Sequence, residues 1–363
     1  MGGLQRAVPN AARSGPGTGV PGRDTVGSHV RDQVLRWSVQ LAGHRPRVVF
    51  ADGDDPRVVA AAGWLAENTS IRPTLLTGGP DGAGNGVDRW SMDRLAGDPE
   101  VRDALLLRAN GVRRDPAEAD ALAEDPVYAS AALVACGRAD AAVAGATRPT
   151  GDVIRAGISV IGLSPGVSTI SSSFVLVLQD GRRLAYGDCA VLPAPDEEQL
   201  AQVAVATART FRELVDEDPV VAMLSFSTMG SAEHPEVDTV RAATGLARAL
   251  EPDLCIDGEL QFDAALLESV GSSKAAGSPV AGRANVLVFP NLSAGNIGYK
   301  ITERLAGAAA IGPVLQGLAA PMNDLSRGCS DRDAIAVALL SAVQAVHADR
   351  AAGLRVAQPA TTG

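Results

Sequence analysis

The segment Pro321-Met-Asn-Asp-Leu-Ser-Arg-Gly-Cys-Ser-Asp-Arg-Asp333 is the densest run of polar and special residues in the chain. Ser326, Arg327 and Gly328 read as a loop, and Ser330 opens a helix. A helix start preceded by Gly and Ser suits an anion, because its first N–H groups have no partner within the helix. Ser330 and Asp333 also match a capping box, with Asp in place of the usual Glu. Taken alone, the segment leaves two roles open for Asp333, a cap or an acid–base group.

A second run ends the strand-like stretch Ala284–Phe289 at Pro290, and Asn291, Ser293, Gly295, Asn296 and Gly298 then lead into a helix. Backbone N–H groups there could hold an acyl or phosphate oxygen, and an ordinary capped turn is the alternative. Gly162-Leu-Ser164-Pro-Gly166 has the outline of a hydrolase nucleophile elbow. That elbow needs a backbone N–H on the residue after the serine, and Pro165 has none. A Pro-Gly turn before a strand is the better reading, and serine hydrolysis is disfavoured.

The elements that position these groups follow α/β grammar. Arg47–Asp52 reads as a buried strand, Asp55-Pro56 as a helix start, Val58–Glu67 as the helix and Pro73–Thr77 as the next strand. Gly78–Gly86 reads as a surface loop, 127–137 as a helix and Ala141–Ala146 as a strand. Strand-like stretches 168–178, 184–191 and 220–226 follow, with Glu197–Val215 a helix whose apolar residues share one face. Helices are also expected at Pro235–Leu250, Asn296–Ala310 and Asp331–Asp349. The alternation implies parallel sheets in an α/β fold.

Composition narrows the function classes. Hydrophobic residues make up 46% of the 363 residues and aromatics 3%, so small aliphatic side chains must build the core. The net charge of −10 and the lack of a basic patch argue against nucleic-acid binding. Cys136, Cys189, Cys255 and Cys329 lie far apart, and the four histidines show no metal spacing, so no metal site is expected. Neither a membrane-crossing run nor a secretory h-region stands out. Residues 1–27 are expected to be a disordered tail and 351–363 a frayed end.

Several stretches together carry a resemblance: Asp188-Cys-Ala-Val191, Leu224-Ser-Phe-Ser-Thr228, Asp257-Gly-Glu-Leu-Gln-Phe-Asp263, Gly277-Ser-Pro-Val-Ala-Gly282, Phe289-Pro-Asn-Leu292, Ala294-Gly-Asn-Ile-Gly-Tyr-Lys300, Gly312-Pro-Val-Leu-Gln-Gly317 and Asn323-Asp-Leu-Ser-Arg-Gly-Cys-Ser330. In this order and spacing, across roughly residues 45–345, they resemble the phosphate acetyltransferases. The resemblance implies a two-domain α/β fold similar to the isocitrate and isopropylmalate dehydrogenases, with an interdomain cleft and a cytoplasmic homodimer. Domain I would combine 28–163 with 308–350, and domain II would be 164–307. The substrates would be CoA or acetyl-CoA with phosphate or acetyl phosphate, and no cofactor would be needed.

By the same resemblance, Asp333, Ser326 and Arg327 match the catalytic positions. Arg155 and Arg108 match substrate-binding arginines, with Thr150 opening the Thr150-Gly-Asp-Val-Ile-Arg155 pattern and Asn296 and Gly298 in the second run. Departures are Ala51-Asp-Gly53 for the family's Pro-Glu-Gly and Met229 where a lysine is common. Asp333 would take the CoA thiol proton, Ser326 would bond the oxyanion, and the arginines would neutralise phosphate or anchor CoA. A free carboxyl near pKa ~3.9 and a thiol near ~8.5 are mismatched as proton partners. Burial of Asp333, arginines acting on the thiol, or proton transfer concerted with attack would each bridge the gap. A butyryl-specific relative is the nearest alternative; a dehydrogenase of related fold and a non-catalytic binding protein stand further off.

Overall fold

The computed structural model describes residues 23–357, with side chains from His29 to Asp349. Helix α1 (Arg23–Gln40) leads to β1 (Arg47–Phe50), α2 (Pro56–Asn68), β2 (Arg72–Thr77) and the hairpin of β3 (Gly82–Gly84) and β4 (Val87–Ser91). Then come α3 (Met92–Ala96), α4 (Pro99–Leu106), α5 (Pro116–Ala123), α6 (Pro126–Ala135), β5 (Ala141–Ala144) and α7 (Thr150–Ala156). The last of these runs on as a π-helical turn, Gly157–Ile161. The middle of the chain forms β6 (Ser171–Val177), β7 (Arg183–Gly187), α8 (Glu197–Val215), β8 (Val220–Leu224), α9 (Pro235–Leu250) and β9 (Cys255–Leu260). It continues through α10 (Phe262–Leu266), α11 (Glu268–Lys274), β10 (Val286–Val288), α12 (Leu292–Arg304) and β11 (Ala309–Gln316). The chain closes with β12 (Met322–Asp324) and α13 (Asp331–Ala357).

Two six-stranded sheets result. The first runs β12-β5-β1-β2-β4-β3, parallel except for the terminal β3–β4 hairpin. The second runs β11-β6-β7-β10-β8-β9, parallel from β7 to β9 and antiparallel at β11 and β6. In the first layer one local solution recurs at helix starts. Asp55, Asp98, Asp115 and Asp125 each accept a backbone N–H, and a proline follows at the first helical position. That proline has no N–H to leave orphaned, and its fixed φ already suits the helix.

One apolar cluster passes from Val48 and Phe50 of the first sheet, through Leu339 of α13 and Phe211 of α8, to Val175 and Val221 of the second. The chain crosses between the sheets twice, at 162–170 and at 317–321, and the crossings bond to each other. Ser164 N donates to Gly317 O at 2.9 Å, Ala319 N to Gly162 O at 2.9 Å, and Ser164 Oγ to Leu318 O at 2.7 Å. The hydroxyl of the Gly162–Gly166 motif is thus spent on a strap between layers.

The α/β fold with two sheets is as expected from sequence, and several boundaries differ. Helix α1 starts at Arg23, inside the segment expected to be a tail, and α13 runs to Ala357, into the segment expected to fray; residues 1–22 and 358–363 lie outside the described residues. The expected helix Asn296–Ala310 is instead α12, starting at Leu292, followed by strand β11. Strand β11 pairs with β6 in the second sheet, and the chain rejoins the first sheet at β12. Gly78–Gly86 is exposed but contains β3.

Candidate functional site

Open parallel sheets place ligands beyond the carboxyl ends of their strands. Here Asp52 follows the end of β1, Gly145-Ala146 follows the end of β5, and β12 ends at Asp324, which leads into Ser326 and Arg327. Asp52 is buried and clamps the turn after β5, accepting Ala146 N and Thr147 N at 3.1 Å each, and the Thr147 hydroxyl.

Arg57 ties the site loop to that turn. Nη1 donates to Arg327 O and Cys329 O at 2.9 Å each, Nη2 to Ala146 O at 3.1 Å, and Nε and Nη2 grip Asp55 at 2.9 and 2.7 Å. The hydrogen bonds from Arg57 lower the Asp55 pKa. A lysine keeps the charge but lacks the planar fork. Arg57→Lys is therefore expected to lower kcat/KM about 10–100-fold through misplacement of the loop, as steady-state kinetics would show, with little loss of fold. The only signal in the sequence is an Arg just inside the Asp55-Pro56 helix start.

Ser326, Arg327 and Asp333 are exposed around the start of α13, and Ser326 Oγ accepts Gly328 N at 3.3 Å. Asp333 completes a capping box: Ser330 N and Oγ donate to Oδ2 at 2.8 and 2.9 Å, and Asp333 N donates back to Ser330 Oγ at 3.2 Å. Both bonds to the carboxylate fall on Oδ2. Nearby, Cys329 is buried and desolvation raises its thiol pKa against the opposing pull of Arg57. Such a thiol is a poor nucleophile.

Thr150 starts α7, and its Oγ1 donates to Asp324 Oδ2 at 2.5 Å. Arg155 lies further along the same helix, mostly exposed and paired with Asp152 at 2.8 Å. Arg108 sits in the turn after α4 and pairs with Glu118 at 2.9 Å. The two arginines stand on joined elements, since Ala109 N bonds Ser159 O at 3.1 Å. Exposed pairs of this kind are worth little, and an incoming phosphate can compete for the guanidinium.

Asn296 and Gly298 lie inside α12, whose start at Leu292, earlier than the expected Asn296, is capped by the Asn291 side chain. Asn296 Nδ2 donates to Cys189 O at 2.9 Å and its Oδ1 accepts Lys300 Nζ at 2.7 Å. A Cβ on Gly298 would lie 3.0 Å from the Phe289 ring. These contacts fasten α12 to the second sheet. The structure thus gathers Thr150, Asp324, Ser326, Arg327 and Asp333 at the strand ends of the first sheet, while Asn296 and Gly298 belong to the second.

The sequence model described as phosphate acetyl/butaryl transferase matches residues 34–342. A phosphate acetyltransferase from Acetivibrio thermocellus is 47% identical over 322 residues, 83% of this chain and 94% of that one. One from Thermoanaerobacterium thermosaccharolyticum is 43% identical over 317 residues, 83% of this chain and 96% of that one. Among solved structures, a phosphotransacetylase from Streptococcus pyogenes superposes with a TM-score of 0.82 at 38% identity, covering 88% of this chain and 99% of its own.

Proposed function

Because this chain belongs to the phosphate acetyl/butaryl transferase family, we propose that its exposed Ser326–Asp333 segment carries out reversible transfer of an acetyl group between CoA and inorganic phosphate. The observation that carries the reading is the match of 43–47% identity to acetyltransferases over most of both chains. The segment's geometry supports the division of roles.

In the direction of acetyl-CoA synthesis, the CoA sulfur attacks the acetyl carbonyl of acetyl phosphate. A C–S bond forms, the C–O bond to phosphate breaks, and phosphate leaves with the bonding pair. The thiol proton goes to Asp333, through Oδ1, because Ser330 already occupies Oδ2. Ser326 Oγ donates to the developing oxyanion. Arg327, with Arg155 and Arg108 once they exchange their carboxylate partners for substrate, neutralises the leaving phosphate and anchors CoA phosphates. Thr150 lines the same strand ends. Arginines supply the positive charge in this scheme, so it uses no metal.

Phosphate-dependent release of free thiol from acetyl-CoA, assayed with EDTA present, tests this. Release that disappears without phosphate is expected; release from butyryl-CoA alone would overturn the acetyl assignment, and dependence on a divalent ion would overturn the metal-free scheme.

We also place the enzyme in the cytoplasm as a homodimer. The free cysteines suit a reducing compartment, and no described helix is long and apolar enough to cross a membrane. Along α12 and its C-cap, Ile297, Ile301 and Leu305 are 58%, 52% and 83% exposed at i, i+4, i+8 spacing, an apolar stripe that a second copy would cover.

A further inference from the structure

Asp324 has no place in the scheme above, yet its surroundings are unusual. Its side chain is 1% exposed at the end of β12, and Oδ1 is buried without a hydrogen-bond partner. The bond that reaches the carboxyl is from Thr150, on Oδ2. It packs over Gly145, where a Cβ would come within 2.2 Å of Oδ1. The charge that acts on it is Asp52, of the same sign. A buried carboxylate normally has its lone pairs filled by donors, as Asp52 does. Asp324 sits two residues before Ser326 and is bonded to the first residue of the helix that carries Arg155.

We propose that Asp324 is a positioning residue for acetyl transfer: uncharged, it lets the Ser326–Arg327 loop pack dry against Gly145 and the start of α7, and on ionising its unpartnered Oδ1 must draw in water, which loosens that packing even as the Thr150 bond tightens. The proposal rests on the acetyltransferase reading for its effect on catalysis. With one donor and a like charge nearby, ionisation would put a poorly solvated anion beside the well-bonded Asp52. Desolvation, with Asp52 adding to it and the Thr150 bond opposing, raises the Asp324 pKa to about 7. Other charges on the packed elements are engaged elsewhere: Arg57 with Asp55, Arg148 with Asp125 and Asp152, and Arg155 with Asp152. Asn323 of β12 faces α13 through Ser341 and Gln344. Asp331 and Asp333, at the start of α13, are exposed.

A proton held more tightly by the fold than by the unfolded chain stabilises below the unfolded pKa, and that contribution drains away as pH rises through the folded one. The window here runs from near 4 to about 7. Thermal melts in phosphate-free buffer at pH 5 to 8 therefore separate wild type from Asp324→Asn, which mimics the neutral acid. Over that range wild type is expected to lose about 3 °C more than the variant. The variant-to-wild-type ratio of kcat, which cancels titration of thiol and phosphate, should rise about fivefold between pH 6 and 8. Thr150→Val should move the wild-type midpoint to higher pH and lower kcat, and Thr150→Ser should restore both. Superimposed melting curves for wild type and Asp324→Asn would overturn the proposal. So would a Thr150→Val variant that raises KM while leaving the midpoint in place. If Asp324→Asn does not fold, the Thr150 pair carries the test alone. The melts need no substrate, so their failure is distinct from failure of the acetyltransferase reading.

Discussion

Asp333→Asn is expected to lower kcat by about 10²–10⁴-fold, the usual worth of a positioned general base. The KM for CoA should move less than about threefold, since the group acts on the proton in flight rather than on binding. What makes this substitution informative is the capping box. Oδ2 accepts Ser330 N and Oγ, and Ser330 Oγ accepts Asp333 N. An asparagine carbonyl can take over both bonds to Oδ2, so the melting temperature should hold within about 2 °C. Asp333→Ala would remove cap and base together and cost about 1 kcal/mol of stability besides. Steady-state kinetics and thermal melts on the pair therefore separate the two roles that the sequence left open. An asparagine variant with unchanged kcat would reduce Asp333 to a cap.

Gly145→Ala should be the most damaging small substitution in the first sheet. Gly145 has φ +106, a conformation that side chains rarely adopt, and an added Cβ would meet Asp324 Oδ1 at 2.2 Å, Leu325 O at 2.7 Å and Leu325 N at 2.9 Å. Two of those atoms are backbone, held by the Leu325 N to Ala144 O bond of 2.7 Å, so they cannot swing away. A loss of about 2–4 kcal/mol is expected from backbone strain and overpacking together. A fall in kcat of at least about tenfold should accompany it, because the displaced residues lead directly into Ser326. Gly63→Ala in α2 is the matched control. Nothing lies within 4 Å of its added Cβ, and there the change should stabilise by about 0.5–1 kcal/mol. Equal melting temperatures for the two variants would refute the reading.

Where local chemistry decided structure, the sequence was legible. The helices at Glu197–Val215 and Pro235–Leu250 match their expected limits, because caps and a single apolar face agree there. Strand β11 was not legible. Its Ala309-Ala-Ile-Gly-Pro-Val-Leu-Gln316 reads as an alanine-rich extension of α12, and Pro313 lacks the N–H that a sheet ladder needs. It is tolerated because β11 is an edge strand, where one side of the ladder needs no donor. Of the candidate site, the Ser326–Asp333 segment was legible through motif and spacing. Arg57 and Asp324 were not, since each acts through partners far along the chain: Arg57 through carbonyls 270 and 272 residues away, Asp324 through Thr150. The start of α12 was not legible either: the helix begins at Leu292, earlier than its glycines suggested.

The apolar cluster that runs through α8 and α13 into both sheets has a bearing on how the molecule fails. Asp333 stands on the first turn of α13, the helix whose body is shared by both layers. Melting either layer strips that helix of part of its packing, so the loss of one layer is expected to destabilise the other. The mounting of the proposed base and the cooperative unit of the fold are one and the same piece. Heat inactivation is therefore expected to track the melting of the structure closely.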